Sequence, residues 1–150
     1  MTVSLTGNDT LVIQGLTITD TADGDWFVTT FENDLANLKR GKNNNAIFAE
    51  NAMGPVATAT LRLIRGSDDD KQLNSLLQQQ LQDFASFELI DAQFTKRVGD
   101  GQGNVTGDSY QGSGGIFKRN PDAKSNAEGD TEQSIVAYRF EFASVQRALF

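Results

Sequence analysis

The sequence predicts a mostly β protein of the α+β class, with one α-helix flanking the sheet. Apolar and polar residues alternate along residues 56–65 and again along 134–143, which is the pattern of strands with one buried face. Between these runs, residues 68–84 carry apolar side chains three and four positions apart, as on one face of a helix. Strands therefore dominate the expected fold.

The chain has the size of a single domain, and we expect one domain over residues 1–150. Only 38% of the residues are apolar, which is typical of a small core with long polar arms. Two such arms are expected. One is an extended hairpin at about 32–53, and the other is a Gly-rich loop at about 99–130.

The N-terminal half is predicted to contain short strands. Residues 2–6 and 10–18 are rich in Thr, Val, Ile and Leu, and Gly7, Asn8 and Asp9 give a turn signal between them. Residues 26–31 are aromatic and β-branched, which favours a further strand.

The extended hairpin is predicted from turn residues that separate two short apolar runs. Gly and Asn lie at the centre of residues 38–48, with apolar side chains on both sides. Gly54 and Pro55 then break the chain before the alternating strand at 56–65.

The predicted helix has a well-marked N-terminus. Ser67 can cap it, and the three aspartates that follow favour the positive end of the helix dipole. The apolar face that we expect to pack on the sheet consists of Leu73, Leu76, Leu77, Leu81 and Phe84. A strand is expected at 87–98, before the Gly-rich segment, and the strand at 134–143 closes the chain.

The composition of the chain argues against nucleic-acid binding and against catalysis. The chain has 20 acidic and 13 basic residues, for a net charge of −7, whereas a phosphate-binding surface needs a basic stripe. It has no cysteine, which excludes disulfides and thiolate metal sites, and no histidine, which removes the commonest general base. We therefore expect no enzyme, no cofactor and no metal, and the short apolar runs predict no membrane insertion.

Two weak chemical signals keep a different function class open. Residues 100–108 place oxygen-bearing side chains at alternate positions, as in a calcium loop, but Val105 replaces the required Gly and no Glu ends the loop. Carboxylates that a glycoside hydrolase could pair are Asp68, Asp69, Asp70, Asp83, Glu88 and Asp91. Because surface carboxylates are usually just solvated, a calcium-binding or carbohydrate-acting domain is the less favoured interpretation.

A basic patch lies at the expected tip of the hairpin, in an otherwise acidic chain. Lys39, Arg40 and Lys42 surround Gly41. A solvated turn explains them, but so does contact with an acidic surface on a neighbouring copy, which would fix the register of a stacked assembly. The Gly-rich loop invites the same interpretation, because polar arms of this kind become ordered on binding.

Several segments, taken in order, resemble the tail tube proteins of contractile-tailed phages. They are residues 31–35 (FENDL), 39–49 (KRGKNNNAIFA), 59–77 (ATLRLIRGSDDDKQLNSLL), 115–117 (GIF), 126–133 (NAEGDTEQ) and 138–142 (YRFEF). The resemblance covers most of the chain beyond about residue 10. It implies a β-sandwich or barrel-like tail tube fold of the Hcp-like kind, with a flanking helix, assembling into hexameric rings that stack into a hollow tube.

The resemblance also implies site residues. The hairpin would contact neighbouring subunits, and the candidate contact residues are Lys39, Arg40, Lys42, Asn43, Asn44, Ile47 and Phe48. An acidic lumen would repel passing DNA, and Glu141, opposite the apolar face of the last strand, is the candidate lumen residue.

Partners and location follow from the same resemblance. The expected partners are further copies of the chain, a tail sheath, a tape measure protein, and baseplate and tail terminator proteins, with DNA passing without adhesion. The expected location is the tail of a virion made in the cytoplasm of a host bacterium. The alternative is a tube subunit of a type VI secretion system or of an extracellular contractile injection system.

Overall fold

A computed structural model describes residues 1–7 and 9–150, and within them the fold is mostly β with one α-helix. The strands are β1 (Ser4–Leu5), β2 (Thr10–Ile13), β3 (Leu16–Ile18), β4 (Phe27–Phe31), β5 (Ala36–Arg40), β6 (Ala46–Glu50), β7 (Ala57–Ile64), β8 (Ile90–Gly99), β9 (Val105–Asp122) and β10 (Ile135–Leu149). The helix α1 spans Asp68–Gln82, and short 3-10 turns cover Lys42–Asn44 and Thr131–Ser134. The predicted fold class is confirmed.

Eight strands form one antiparallel sheet. Its order is β3-β2-β8-β9-β10-β7-β4, with β1 paired to β8 beside β2, and β5 pairs with β6 in a separate two-stranded sheet. The centre is formed by β9 and β10, which are the longest strands and pair with each other over most of their length.

The large sheet curls until its distant parts meet. Phe27, on the edge strand β4, stacks on Phe94 of β8 with ring centroids 5.0 Å apart. The curl coincides with a register shift between β8 and β9, where Ile90 pairs with Gly115 and Ala92 pairs with Gly112. Beside it, Phe142 and Val145 of β10 are both buried although they are three residues apart. Within this irregular part of β9, Gly114 has a left-handed φ of 64° and lies against Ala143. The curled sheet encloses the core.

The core lies inside the curl and is closed by α1. Leu73 and Leu77 of the helix are 0% and 3% exposed and join the cluster formed by the strands. The buried residues contributed by β7 and β10 are Ala57, Ala59, Leu61, Leu63, Val136, Tyr138, Phe140, Phe142 and Val145. The alternation that predicted β7 and the first half of β10 is therefore a burial pattern.

The aspartates at the start of α1 do more than favour the helix dipole. Ser67 Oγ accepts from the Asp70 N–H, which is the predicted cap. Asp69 is 4% exposed, and its carboxylate accepts from the N–H groups of Thr19 and Asp20 at 2.7 and 2.9 Å. Tyr138 Oη donates to Asp70 Oδ1 at 2.6 Å. Two of the three carboxylates thus fasten the helix to the sheet and the loop after β3.

The Tyr138 hydroxyl is held in its neutral form by this arrangement. Burial raises the pKa of its phenol well above the ordinary value, and the hydrogen bond to the Asp70 carboxylate raises the pKa further. The hydroxyl therefore remains a donor to α1 over the whole ordinary pH range.

The prediction of a Gly-rich loop at 99–130 is wrong for most of its length, because residues 105–122 form β9. Three glycines of this strand, Gly107, Gly112 and Gly115, make room for the aromatic rings of Phe142 and Phe150. A Cβ on Gly115 would lie 2.5 Å from the Phe142 ring, and one on Gly107 would lie 2.8 Å from the Phe150 ring. Glycine here marks close packing of a ring on bare backbone and not a flexible loop.

Three smaller predictions need correction. Residues 10–18 form a hairpin and not one strand, since Gln14 and Gly15 adopt φ values of 49° and 78° between β2 and β3. The last strand continues to Leu149, beyond the predicted end at 143. Leu81 and Phe84, assigned to the buried helix face, are each 59% exposed. The turn expected at residues 7–9 includes Asn8, which lies outside the described residues.

Replacing Leu77 with Ala tests the docking of α1. Because the side chain is 3% exposed within the core, its loss should lower the free energy of unfolding by about 2–5 kcal/mol. Urea denaturation measures the change. Leu81→Ala is the matched control, and similar losses for both variants would contradict the docking described above.

Adding a methyl group at Gly115 should also destabilise the fold. Its Cβ would lie 2.5 Å from Phe142 Cε1 and 2.8 Å from the Ile90 carbonyl oxygen, so the strand must shift, at about 1–3 kcal/mol. Gly7→Ala is the control, since its Cβ would meet nothing within 4 Å. Thermal unfolding of both variants checks the difference, and an unchanged Tm for Gly115→Ala would refute the close packing.

Candidate assembly surface

The β5–β6 hairpin is an arm that stands out from the body of the protein. We define the arm as residues 35–51. All ten of its strand residues are exposed, and β5 pairs with β6 alone among the described strands. At the tip, Asn43 and Asn44 have φ values of 63°, a backbone that asparagine tolerates better than most residues. The arm therefore carries its own hydrogen bonds but covers little of the core.

The base of the arm is fixed to the sheet by hydrogen bonds. The N–H of Glu32 donates to the Val56 carbonyl at 3.0 Å, and Asn33 Nδ2 donates to the Gly54 carbonyl at 3.3 Å. The N–H of Val145 in β10 donates to the Pro55 carbonyl at 3.0 Å. Because these bonds hold both ends of the hairpin, the arm has a defined exit from the body.

One face of the arm presents an apolar pair. Leu38 and Phe48 lie directly opposite each other and are 60% and 77% exposed. Opposite residues of an antiparallel pair share a face, so Ala36 and Ala46 flank them on the same side. The other face carries Lys39 opposite Ile47, which is 58% exposed. Leu35 and Met53, at the base, are also exposed.

The arm also carries unpaired positive charge. Seven ion pairs connect the described residues, and none involves Lys39, Arg40 or Lys42. The cations that do take part are Arg62, Lys96, Lys118, Lys124, Arg139 and Arg147. In a protein of net charge −7, this basic tip is a local exception.

All seven candidate contact residues lie on this arm. Lys39 and Arg40 belong to β5, Ile47 and Phe48 to β6, and the 3-10 turn holds the other three, namely Lys42, Asn43 and Asn44. Their contact with a neighbouring subunit stays a prediction. Leu38 was not among the candidates, although its position opposite Phe48 makes it half of the apolar pair; only the strand register reveals this.

The lumen candidate Glu141 is an ion-paired residue. Its carboxylate lies 3.4 Å from Lys118 Nζ, and Lys118 is also 3.7 Å from Glu32, next to the base of the arm. Glu141 does point away from the core, since Phe140 and Phe142 on either side are buried. The role of Glu141 in a lumen stays a prediction, and its charge is locally compensated by Lys118.

A polar depression of about 550 Å³ covers part of the outer face of the sheet. Val12, Gln93, Gln111 and Gln146 form one row across β2, β8, β9 and β10 at its floor. Asp91 is the one charged side chain in its lining. The amides and hydroxyls of this lining can donate and accept hydrogen bonds, and its described residues include no cation.

The described residues, 1–7 and 9–150, contain neither a metal-site cluster nor a membrane-spanning helix. No group of three or more acidic side chains is arranged to hold a metal ion, and no helix is long and apolar enough to cross a membrane. The Asp100 carboxylate of the calcium-like segment accepts from the side chain of Asn104 at 2.7 Å and from the N–H of Gln102 at 2.7 Å. The Asn104 bond is the largest of the causes that lower the Asp100 pKa.

Comparison with solved structures identifies the fold. The chain matches the tube terminating cap of an anti-feeding prophage with a TM-score of 0.61 and 10% identity, over 95% of this chain and 88% of that one. It also matches a chain of the extended sheath-tube complex of PVC, an extracellular contractile injection system, with a TM-score of 0.63 and 11% identity over the same shares. No family model and no curated protein matches the sequence. The fold is therefore of the type found in these tube and cap assemblies.

The arm should contribute little to the stability of a single copy. Leu38→Ser combined with Phe48→Ser should change the free energy of unfolding by less than about 1 kcal/mol, since both side chains are exposed and mainly support each other. Chemical denaturation at low protein concentration measures this. Phe140→Ser is the buried comparison and should cost several times more; a large loss from the arm variant would show that the arm packs on its own body.

Proposed function

We propose that this chain is a structural subunit of the tube, or of the tube cap, of a contractile injection particle, and that it has no catalytic activity. The observation that carries the proposal is an exposed apolar and basic arm on a fold shared with tube and cap proteins. The arm and the shared fold are both needed for this argument, because a shared fold alone does not define a function.

The arm supports self-assembly through the surface that it leaves uncovered. Exposed apolar side chains that are grouped together are unusual in a soluble monomer and mark interaction sites. On and beside the arm these are Leu35, Leu38, Ile47, Phe48 and Met53. Contact with another copy would remove them from water and stabilise the assembly by the hydrophobic effect.

The edges of the sheet give a second route to assembly. In a single copy, β3 and β4 end the large sheet, and β4 exposes Val28 and Phe31. Unpaired edges tend to pair with other chains, and closure into a ring removes them. Hexameric rings, stacked into a tube, are the arrangement that the resemblance of the sequence implies.

The partners of the tube are part of the same proposal. A sheath is the first of these, since one similar structure is a sheath-tube complex. The outer face of α1, which exposes Gln72, Gln78, Gln79 and Gln82, is the surface that we assign to sheath contact. A tape measure protein, baseplate proteins and a terminator are expected at the interior and the ends.

A phage tail tube that conducts DNA is the second candidate. The order of segments that resembles contractile-phage tube proteins favours it, while the similar solved structures favour an injection particle. The two differ in cargo, so the material inside purified particles distinguishes them. Nuclease-sensitive cargo would favour the phage tail, and protein cargo would favour the injection particle.

Negative-stain electron microscopy of concentrated protein tests the proposed function. We expect rings or hollow tubes from the natural sequence, and a loss of both in the Leu38→Ser, Phe48→Ser double variant, whose fold should be intact. Val105→Ser, which also removes an exposed apolar side chain, is the control and should still assemble. A strictly monomeric natural sequence across concentrations and seeding conditions would refute self-assembly.

A further inference from the structure

We propose that the arm of one copy docks on the C-terminal end of α1 in a second copy. The receiving surface, which we call the helix-end patch, consists of Leu81, Asp83, Phe84, Glu88 and Leu89. This inference rests on the proposed function and deepens it, because it names the surface that the arm contacts and the chemistry that joins the two.

The helix-end patch exposes large apolar side chains at the point where the helix ends. Leu81 and Phe84 are each 59% exposed, and Leu89 is 50% exposed. The intervening chain is held in a compact turn, in which the N–H of Phe87 donates to the Phe84 carbonyl at 3.3 Å. Apolar side chains on a fixed turn form a receiving surface that loses little conformational freedom on binding.

The same patch is negatively charged and lacks a counter-ion. Asp83, Glu88 and the neighbouring Asp91 take part in none of the ion pairs among the described residues. The last turn of α1 contains no basic residue, so the negative end of the helix dipole is also uncompensated. A cation on another molecule would therefore be attracted both by the unpaired carboxylates and by the negative end of the helix dipole.

The arm is complementary to the helix-end patch both in its exposed apolar side chains and in its charge. Leu38 and Phe48 supply an exposed apolar pair, and the unpaired cations Lys39, Arg40 and Lys42 lie on the same hairpin. Apolar contact provides affinity, while the opposite charges set orientation and suppress wrong pairings. Because the arm and the patch are different surfaces, each copy offers one and accepts the other. Such a contact repeats from copy to copy and produces a ring or a filament.

The acidic loop before β4 is a weaker receiving surface. It carries Asp20, Asp23 and Asp25, but residues 19–26, all of which the structure describes, expose no large apolar side chain. Trp26 instead packs edge-on to Phe94 at 5.7 Å. The loop could attract the basic tip but would leave Leu38 and Phe48 in water, so the helix-end patch fits the arm better.

Disulfide cross-linking tests the contact, and the chain suits it because it contains no natural cysteine. Ala46→Cys lies beside Phe48 on the arm, and Ala85→Cys lies beside Phe84 on the patch; both positions are exposed. The two single variants are mixed, assembled and oxidised, and linked peptides are identified by mass spectrometry. We expect residue 46 joined to residue 85, and no link when Asp23→Cys replaces Ala85→Cys. A link to position 23 with none to position 85 overturns the inference.

Charge reversal supplies a second measurement with a rescue. Lys39→Glu with Arg40→Glu, or Asp83→Lys with Glu88→Lys, should each reduce the assembled fraction at least about tenfold, and combining the four changes should restore it. Asp23→Lys with Asp25→Lys is the control and should not rescue the reversed arm. If the natural sequence assembles and the combination fails to rescue, the docking site is wrong while self-assembly stands; if the natural sequence never assembles, both proposals fail.

Discussion

The packing of the Phe142 ring on the bare backbone of β9 is the constraint on which the rest of the structure depends. A Cβ at Gly112 or Gly115 would lie 3.0 Å or less from that ring, so only glycine lets β9 and β10 come together here. At the same place the pairing of β8 with β9 shifts register, and Val145, three residues after Phe142, donates its N–H to the Pro55 carbonyl at the base of the arm. One close contact thus sets the curl of the sheet and the point from which the arm leaves it.

The parts of the fold that could be predicted are those in which the deciding interactions are local. β7 and α1 each bury a face whose period is visible in a short stretch of sequence, and Ser67 caps the helix within three residues. β9 could not be predicted in the same way, because its glycines are explained by Phe142 and Phe150, which come from a distant part of the chain. Without those rings, a Gly-rich segment has the composition of a loop.

The candidate assembly surface also has a part that could be predicted from the sequence and a part that could not. The tip of the arm could be predicted, since its basic and turn-forming residues are adjacent in sequence. Leu38 becomes significant only through its register opposite Phe48, and Leu81 and Phe84 only through exposure that helical spacing does not reveal. Helical period says which side chains share a face, but it does not say how far along the helix the sheet extends beneath that face. In the last turn of α1, Gln80 still exchanges two hydrogen bonds with the backbone of Phe117 in β9, whereas Leu81 and Phe84 face away from the sheet and are exposed.

Net charge and local charge would act in opposite directions in the proposed assembly. Copies that each carry a charge of −7 repel one another at long range, which keeps free subunits apart at low concentration. Within about 10 Å of a carboxylate-rich surface, the three cations of the arm would instead attract a second copy. Salt screens the long-range repulsion between whole copies more than it screens this close contact. Assembly should therefore be favoured at intermediate ionic strength, with apolar burial at Phe48 providing a term that salt does not weaken.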